Sequence, residues 1–401
     1  MFVFPPAFNH RNFRLFWTAN AFSLVGSLAQ DAARGWLVRS LTSDPFTVST
    51  VAACTSFPVL LLTLYAGAVA DRVDKKRGLI LTNTLAAILA LVLWVLTYYR
   101  LITVWQVGML SLMAGTINAF DIPIRQSMNV EMVGREDLPN AIALNSTAFN
   151  GARVLGPAIG GQLIQLVGTA GCFFVNALSF LPLVFNLGRM DLPKPEPNKR
   201  SLSFEDIREG YCFVRTHPVL WPLTLFVGVC STFVFSYSNL LPVFAKDVFH
   251  VEEKGYSALL SSAGAGSVTA AAQLALSGKM GHKGRRLFGG AFGYCVSIAA
   301  FAIAPSLYPA CVCLFAGGYS LLTFLTTANT LVQTTAPDEL RGRVFSLYSL
   351  ALIGTAPLGA LLIGKAAQML GPRPAVELSV ALSMVWAAWT FIANPQLRAS
   401  D

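Results

Sequence analysis

A chain of 401 residues with 54% hydrophobic and only 12% charged residues falls far below the roughly 25% charge typical of a soluble domain. That deficit excludes a soluble fold, and at about 20 apolar residues per 30 Å crossing the length holds about a dozen membrane spans. The net charge of +9 would suit nucleic acid only if gathered on one soluble face, and it is instead spread among loops between apolar runs.

Met1 to Arg14 carries Pro5, Pro6, His10, Arg11 and Arg14 but no short apolar core followed by a small-residue cleavage site. Helix 1 itself is therefore expected to direct insertion. Apolar runs predict spans at 13–38, 46–70, 78–99, 104–122, 140–167 and 170–188, then at 219–245, 256–277, 287–304, 307–333, 344–368 and 375–393. With the N-terminus in the cytoplasm, 21 of the 29 Lys and Arg residues fall in cytoplasmic segments. The excess of basic residues on the inner side selects this orientation, with both termini cytoplasmic.

Residues 189–218 contain Pro193, Pro195, Pro197 and charges of both signs, the composition of a linker. They predict a division into a six-helix bundle at 1–188, a cytoplasmic linker at 189–218 and a second six-helix bundle at 219–401. Inside the linker, Ser203 is a candidate cap for a short helix with Phe204, Ile207, Tyr211 and Val214 on one face, suited either to the membrane interface or to the protein's cytoplasmic face. The halves share landmarks. Glu136-Asp137-Leu138 recurs as Asp338-Glu339-Leu340, Pro157 has a counterpart in Pro357, and Gly67 in Gly278. Duplication of a six-helix unit is a recognised transporter design.

The seven cysteines are scattered through apolar stretches, and Cys311 and Cys313 lack the spacing of a redox or zinc motif. His10, His217, His250 and His282 form no metal-ligand pattern, and no phosphate-binding glycine loop or hydrolase nucleophile motif occurs. No metal, cofactor or enzymatic activity is expected.

Polar residues recur at helical spacing on four spans: Asn20, Ser23, Ser27, Gln30, Asp31 and Arg34 on span 1, and Ser111, Asn118, Asp121 and Arg125 on span 4. Span 7 has Thr232, Ser236 and Asn239 beside Phe235 and Tyr237, and span 10 has Tyr319, Ser320, Thr323, Phe324, Thr327, Thr330 and Gln333. Such faces need each other or water, because lipid offers no hydrogen bonds. Asn20, Ser27, Arg34, Asn118, Phe235, Tyr237, Asn239, Tyr319, Phe324 and Thr327 are the candidate cavity and substrate residues, with ordinary contacts between helices as the alternative. Asp31 is the candidate proton-coupling group, since a carboxylate taken out of water can load and release a proton at a higher pH than a hydrated one. Arg34, three positions on, can also simply neutralise it. Arg153, midway along span 5, needs a partner inside the bundle, and Asp121, Arg125 and Asp71 are the candidates for a latch at the cytoplasmic gate.

Three motifs carry a resemblance. Gly67-Ala-Val-Ala-Asp71-Arg72-Val-Asp74-Lys75-Lys76-Arg77 resembles the loop between helices 2 and 3 of the major facilitator superfamily, except that Asp74 stands where that family usually has glycine. Gly151-Ala-Arg153-Val-Leu-Gly156-Pro157-Ala-Ile-Gly160-Gly161 resembles the glycine-proline motif of its antiporters; Ser261, Ser262, Gly264, Gly266 and Ser267 of span 8 would give a similarly smooth partner. The stretch from Ala119 to Gln126, with Asn140 to Ser146, is similar to the branch holding enterobactin exporters, macrolide efflux proteins and lysophospholipid transporters. The resemblance implies an all-α membrane protein, with twelve transmembrane helices in two pseudo-symmetric six-helix bundles around a cavity that opens alternately to each side. It assigns Gly67, Asp71, Arg72, Gly156, Pro157, Gly160 and Gly161 to conformational change. The expected function is export of a small amphipathic compound, siderophore or drug-like, across the cytoplasmic membrane by a monomer driven by the proton gradient. The alternatives are a lysophospholipid flippase and, from another class, a non-transporting receptor or scaffold.

Overall fold

The computed structural model describes residues 5–70, 72–134, 136–190, 204–276, 282–337 and 340–400. Among the described residues the regular structure is helical, with no strand, which keeps every backbone bond inside its own segment. A 3-10 turn at Pro6–Asn9 leads into α1 (Arg11–Leu41), α2 (Pro45–Ala70), α3 (Lys75–Tyr98), α4 (Val104–Val133) and α5 (Leu138–Arg189). After the linker come α6 (Phe204–Thr216), α7 (Leu220–Phe233), a 3-10 turn at Phe235–Leu240, the single turn α8 (Leu241–Val243) and a π turn at Phe244–Val248. Then follow α9 (Glu253–Leu276), α10 (Lys283–Ile303), α11 (Leu307–Thr335), α12 (Arg341–Ser349), a π turn at Leu350–Gly354, α13 (Ala356–Leu370), α14 (Pro372–Ala393) and α15 (Pro395–Arg398).

Nine helical stretches among the described residues are long and apolar enough to cross a membrane. Three further rods complete the twelve: α1 with 31 residues, the part of α5 ahead of Gly168, and α9 with 24 residues. These three carry the polar or small residues that lower their hydropathy. α5 runs through two of the predicted spans, broken only at Gly168, where φ is 72° and ψ is 173°. A side chain would be strained there, and glycine is not.

Capping residues set the helix starts. The Asp74 carboxylate accepts the Arg77 amide at 3.0 Å and so caps α3, which gives a local reason for an acid where the family has glycine. Thr103 and Gln106 form a reciprocal capping box on α4. Asp44 caps α2, accepting the Thr47 amide at 3.0 Å and its hydroxyl at 2.6 Å.

The chain forms two compact units, Met1–Leu41 with Phe57–Ser201 and Thr42–Ser56 with Leu202–Asp401. The first has a core of Phe13, Phe16, Leu79, Met128, Leu183 and Leu187. The second centres on Phe226, Leu287, Phe324, Leu331 and Val344. The start of α2 lies against α13 in the second unit: a Cβ on Gly364 would sit 2.8 Å from the Ser49 hydroxyl, and the Asp44 carboxylate accepts Gln368 Nε2 at 3.0 Å.

Small residues do their packing inside each unit. A Cβ at Gly160 of α5 would lie 2.8 Å from the Ala29 Cα of α1, and one at Gly156 would collide with Leu28. In the second unit a Cβ at Gly266 of α9 would collide with the Phe315 carbonyl of α11, and one at Gly318 of α11 with the Ala263 carbonyl of α9. The glycines predicted to serve spans 5 and 8 as mutually smooth faces thus admit a neighbour within their own unit, because their spacing puts them on one stripe. Gly67 behaves otherwise: a Cβ there meets nothing within 4 Å, so its role is not close approach of a neighbouring helix in this conformation.

The π turn at Leu350–Gly354 lies just ahead of Pro357, which has no N–H to give the Ile353 carbonyl. The Thr355 amide donates to the Ile353 carbonyl instead, and side chains of α7 and the turn reach nearby carbonyls. Ser231 Oγ donates to the Leu352 carbonyl at 2.5 Å, and Thr355 Oγ1 donates to Ala351 at 2.9 Å and Gly228 at 3.3 Å. α6 docks on α12 rather than standing alone: Glu209 pairs with Arg343, and Val214 is buried in the second core. Ser203, its predicted cap, lies outside the described residues.

Candidate functional site

The densest polar cluster is in the first unit, where α1, α3 and α4 meet. Asp121 and Arg125 are one turn apart on α4, so their side chains share a face. Arg125 donates to Asp121 Oδ2 through Nε at 2.8 Å and Nη2 at 2.5 Å. The other carboxylate oxygen accepts Thr82 Oγ1 at 2.7 Å and Asn83 Nδ2 at 3.0 Å from α3. Arg125 Nη1 also donates to Asn20 Oδ1 of α1, and its guanidinium lies 5.6 Å from the Phe16 ring centroid. Asp121, Asn20, Thr82 and Asn83 are buried. A charge pair in such a place needs its remaining lone pairs and protons satisfied, and these neighbours do so.

The cluster lies in the half of the unit that holds the chain start, since α1 and α3 begin there and α4 ends there. The same end carries two more ion pairs, Lys75 with Glu131 and His10 with Asp137 at 2.8 Å. Lys76 Nζ closes α5 by donating to the Gly188 and Met190 carbonyls at 3.1 and 2.6 Å. Arg72 is exposed. Asp71, the third member of the predicted latch, lies outside the described residues, as do the side chains of Arg153 and Pro157, whose backbone continues α5.

Asp31 and Arg34 form an i,i+3 ion pair of 3.0 Å in which the arginine is the buried partner; the Asp31 side chain is 47% exposed. Arg34 thus sits at the centre of the α1 stripe and Asp31 at its edge. Ser27 and Gln30 of α1 bond instead to Asn176 of α5, at 3.5 and 2.9 Å. For Ser27 the contact is helix to helix.

In the second unit the candidate aromatics belong to a stacked core. Phe324 is 1% exposed and meets Phe226 and Phe235 with centroids 5.4 and 6.3 Å away. Tyr237 is buried against Tyr294 at 6.2 Å and Phe301 at 5.9 Å. Thr327 is fully buried and donates to the Thr323 carbonyl at 2.7 Å. These three residues sit among α7, α10 and α11, which corrects their placement on an open face: alternation along a helix reveals a stripe but not which neighbour covers it. Tyr319 and Asn239 remain partly exposed and Asn118 exposed, and the Tyr319 hydroxyl bonds Gln273 of α9.

Sequence reasoning passed over Thr82, Asn83, Glu131, Asn176 and Gln273. The available signal was a polar pair, Thr82-Asn83, inside an otherwise apolar span near its basic end.

A family profile described as transmembrane secretion effector matches residues 4–401. The chain belongs to this family of major facilitator superfamily transporters. It is 24% identical over 372 residues to the staphyloferrin A transporter of Staphylococcus aureus (strain NCTC 8325 / PS 47), covering 89% of this chain and 90% of the relative. It is 28% identical over 377 residues to the multidrug efflux pump Tap of Mycolicibacterium fortuitum, covering 91% of each. The enterobactin exporter EntS of Shigella boydii serotype 18 is 24% identical over 92% of this chain and 88% of its own. Among solved structures, an inward-facing bacterial homologue of the human lysosomal transporter Spinster superposes with a TM-score of 0.74 at 13% identity, covering 98% of both chains. The protein is thus a multi-pass membrane transporter with the major facilitator fold.

Proposed function

We propose that the protein is a secondary active exporter of small amphipathic organic compounds, siderophore or drug-like, working by alternating access across the cytoplasmic membrane with both termini inside. The observation that carries this reading is the near full-length similarity to proteins named as siderophore and drug transporters. Proton antiport is the proposed drive, with Asp31 as the carrier. Its carboxylate is partly exposed, and its ion-pair partner Arg34 can hold either the anion or, after protonation, a substrate acceptor group. Asp121 suits the other proposed role, a fixed element of the gate, because Arg125, Thr82 and Asn83 all donate to it. The same role is proposed for the Gly156–Gly161 stretch and for Gly67, Asp71, Arg72 and Arg153. Tyr319, Asn239 and Asn118 keep the exposure needed for substrate contact.

The test is uptake into everted vesicles or proteoliposomes containing the full chain, using a panel of siderophores and amphipathic drugs under an imposed proton gradient. Gradient-dependent accumulation that a protonophore abolishes is expected, and Asp31→Asn should remove the dependence on the gradient. Accumulation unaffected by the protonophore would overturn the antiport, and no accumulation of any compound would overturn export.

A further inference from the structure

One end of the second unit carries a basic pocket that neither the polar cluster nor the candidate substrate residues use. It has a volume of about 560 Å³ and is lined by His282, Arg285 and Arg398 together with Phe391, Ala399 and Ser400. The walls are built rather than incidental. The Gly284 amide donates to the Ser400 carbonyl at 2.9 Å, and a Cβ on Gly284 would collide with the Arg398 carbonyl. Leu397 is fully buried in the second core. The Arg398 guanidinium sits 5.1 Å from the Phe391 centroid, and Phe391 packs edge-on against Phe288 of α10 at 5.0 Å. α15 is therefore fastened across the start of α10, and two arginines stand at the mouth of the gap between α10 and α14.

Leading away from that mouth, α14 presents an uninterrupted apolar face. Leu378, Leu382, Val385, Trp389 and Ile392 are 45–73% exposed, at the spacing of one helical stripe. Trp389 lies against Trp386 with centroids 4.9 Å apart in the last two turns of α14, on the pocket's side of the helix's length, and tryptophans favour a membrane interface. A cationic pocket at the end of an exposed apolar stripe is complementary to a molecule with an anionic head and long hydrocarbon tails. A guanidinium matches a phosphate by paired, planar hydrogen bonds, and basic groups at the membrane surface attract acidic lipids.

We propose that this pocket is a binding site for the phosphate headgroup of an anionic phospholipid, whose acyl chains lie along α14. The lipid fastens α15 and the ends of α10 and α14 to the membrane surface. The site is separate from the exporter reading, and its test does not use transport.

The full-length protein in nanodiscs or detergent is titrated with phosphatidylglycerol, phosphatidylcholine and inorganic phosphate, with bound lipid counted by native mass spectrometry and thermal stability followed in parallel. Retained phosphatidylglycerol and an upward shift in melting are expected, with no comparable effect of phosphatidylcholine or phosphate. Arg285→Gln with Arg398→Gln should weaken phosphatidylglycerol binding on the order of 10-fold or more. Lys246→Gln with Lys254→Gln, which removes the same charge at the opposite end, should leave it unchanged. Arg285→Lys with Arg398→Lys, which keeps charge, reports whether loss in the Gln variant reflects misfolding. Equal phosphatidylglycerol binding by the Gln variant, equal loss in the Lys246/Lys254 control, or full stabilisation by phosphate alone would overturn the proposal.

Discussion

Arg125 closes on Asp121 with two nitrogens on the same carboxylate oxygen, at 2.8 and 2.5 Å, leaving the other oxygen to Thr82 and Asn83. Two elements of α4 are thereby tied to α3, and through Asn20 to α1.

Removing one member of this pair should destabilise the protein more than removing both. Asp121→Ala leaves a guanidinium with only neutral polar partners such as Asn20 and Asn83, at a cost of roughly 3 kcal/mol, the lower part of the range for buried pairs, because the Arg125 side chain is 24% exposed. The double variant Asp121→Leu with Arg125→Met should recover much of that loss. Thermal melting of detergent-purified protein measures both, and a double variant no more stable than the single one contradicts the argument.

Glycine positions separate cleanly into tolerant and intolerant sites. Gly266→Ala and Gly318→Ala each drive a methyl into a backbone carbonyl that cannot rotate away, so folded yield should fall sharply. Gly151→Ala and Gly67→Ala meet nothing within 4 Å and should give normal yield. Transport by Gly67→Ala then isolates a conformational role for that residue from a packing role.

Asp44 gives a pH signature. Burial raises its pKa, but hydrogen bonds from Thr47, Phe46 and Gln368 more than reverse this and hold it below the usual 3.8. A lowered folded-state pKa adds stability at pH values above 3.8 that is lost as pH falls through the folded value. Asp44→Ala should therefore melt lower than wild type at pH 7 and at pH 5, by an amount typical of a lost helix cap, about 1 kcal/mol. The gap should close only on acidification below about 4.

His217 has the opposite sign. Its Nδ1 accepts the Val219 and Leu220 amides at 3.2 and 3.3 Å, which requires an unprotonated nitrogen, and burial holds its pKa below the usual 6.5. The unfolded chain then takes up a proton first as pH falls, so this contribution to stability is complete above 6.5 and declines below it. His217→Asn retains a capping acceptor and should flatten the pH dependence of melting between pH 5 and 7, with little change at pH 8.

Much of the architecture was legible because membranes impose few solutions. Apolar runs and the break between the spans predicted at 140–167 and 170–188 were readable from composition and spacing alone. Interruptions inside spans were not: the 3-10 and π turns from Phe235 to Val248 and the π turn ahead of Pro357 depend on partners such as Ser231 that arrive from another helix. The candidate site was half legible. Asp121, Arg125 and Asn20 stand out as polar residues on polar faces, while Thr82 and Asn83 are hidden in an apolar span. Phe324 and Thr327 read like cavity residues because a stripe does not announce which neighbour it meets. The Asp31–Arg34 pair was readable from its i,i+3 spacing.

α11 adds a last consequence. Thr323, Thr327, Thr330 and Thr334 each donate to the carbonyl four residues earlier, at 2.7–2.9 Å. The hydroxyl hydrogens are consumed within the helix, so what projects from it is methyl groups and oxygen lone pairs. A hydropathy scale penalises this stretch for donors it no longer has. The three that are not buried, Thr323, Thr330 and Thr334, therefore offer whatever lies beside them acceptors and methyl groups rather than donors.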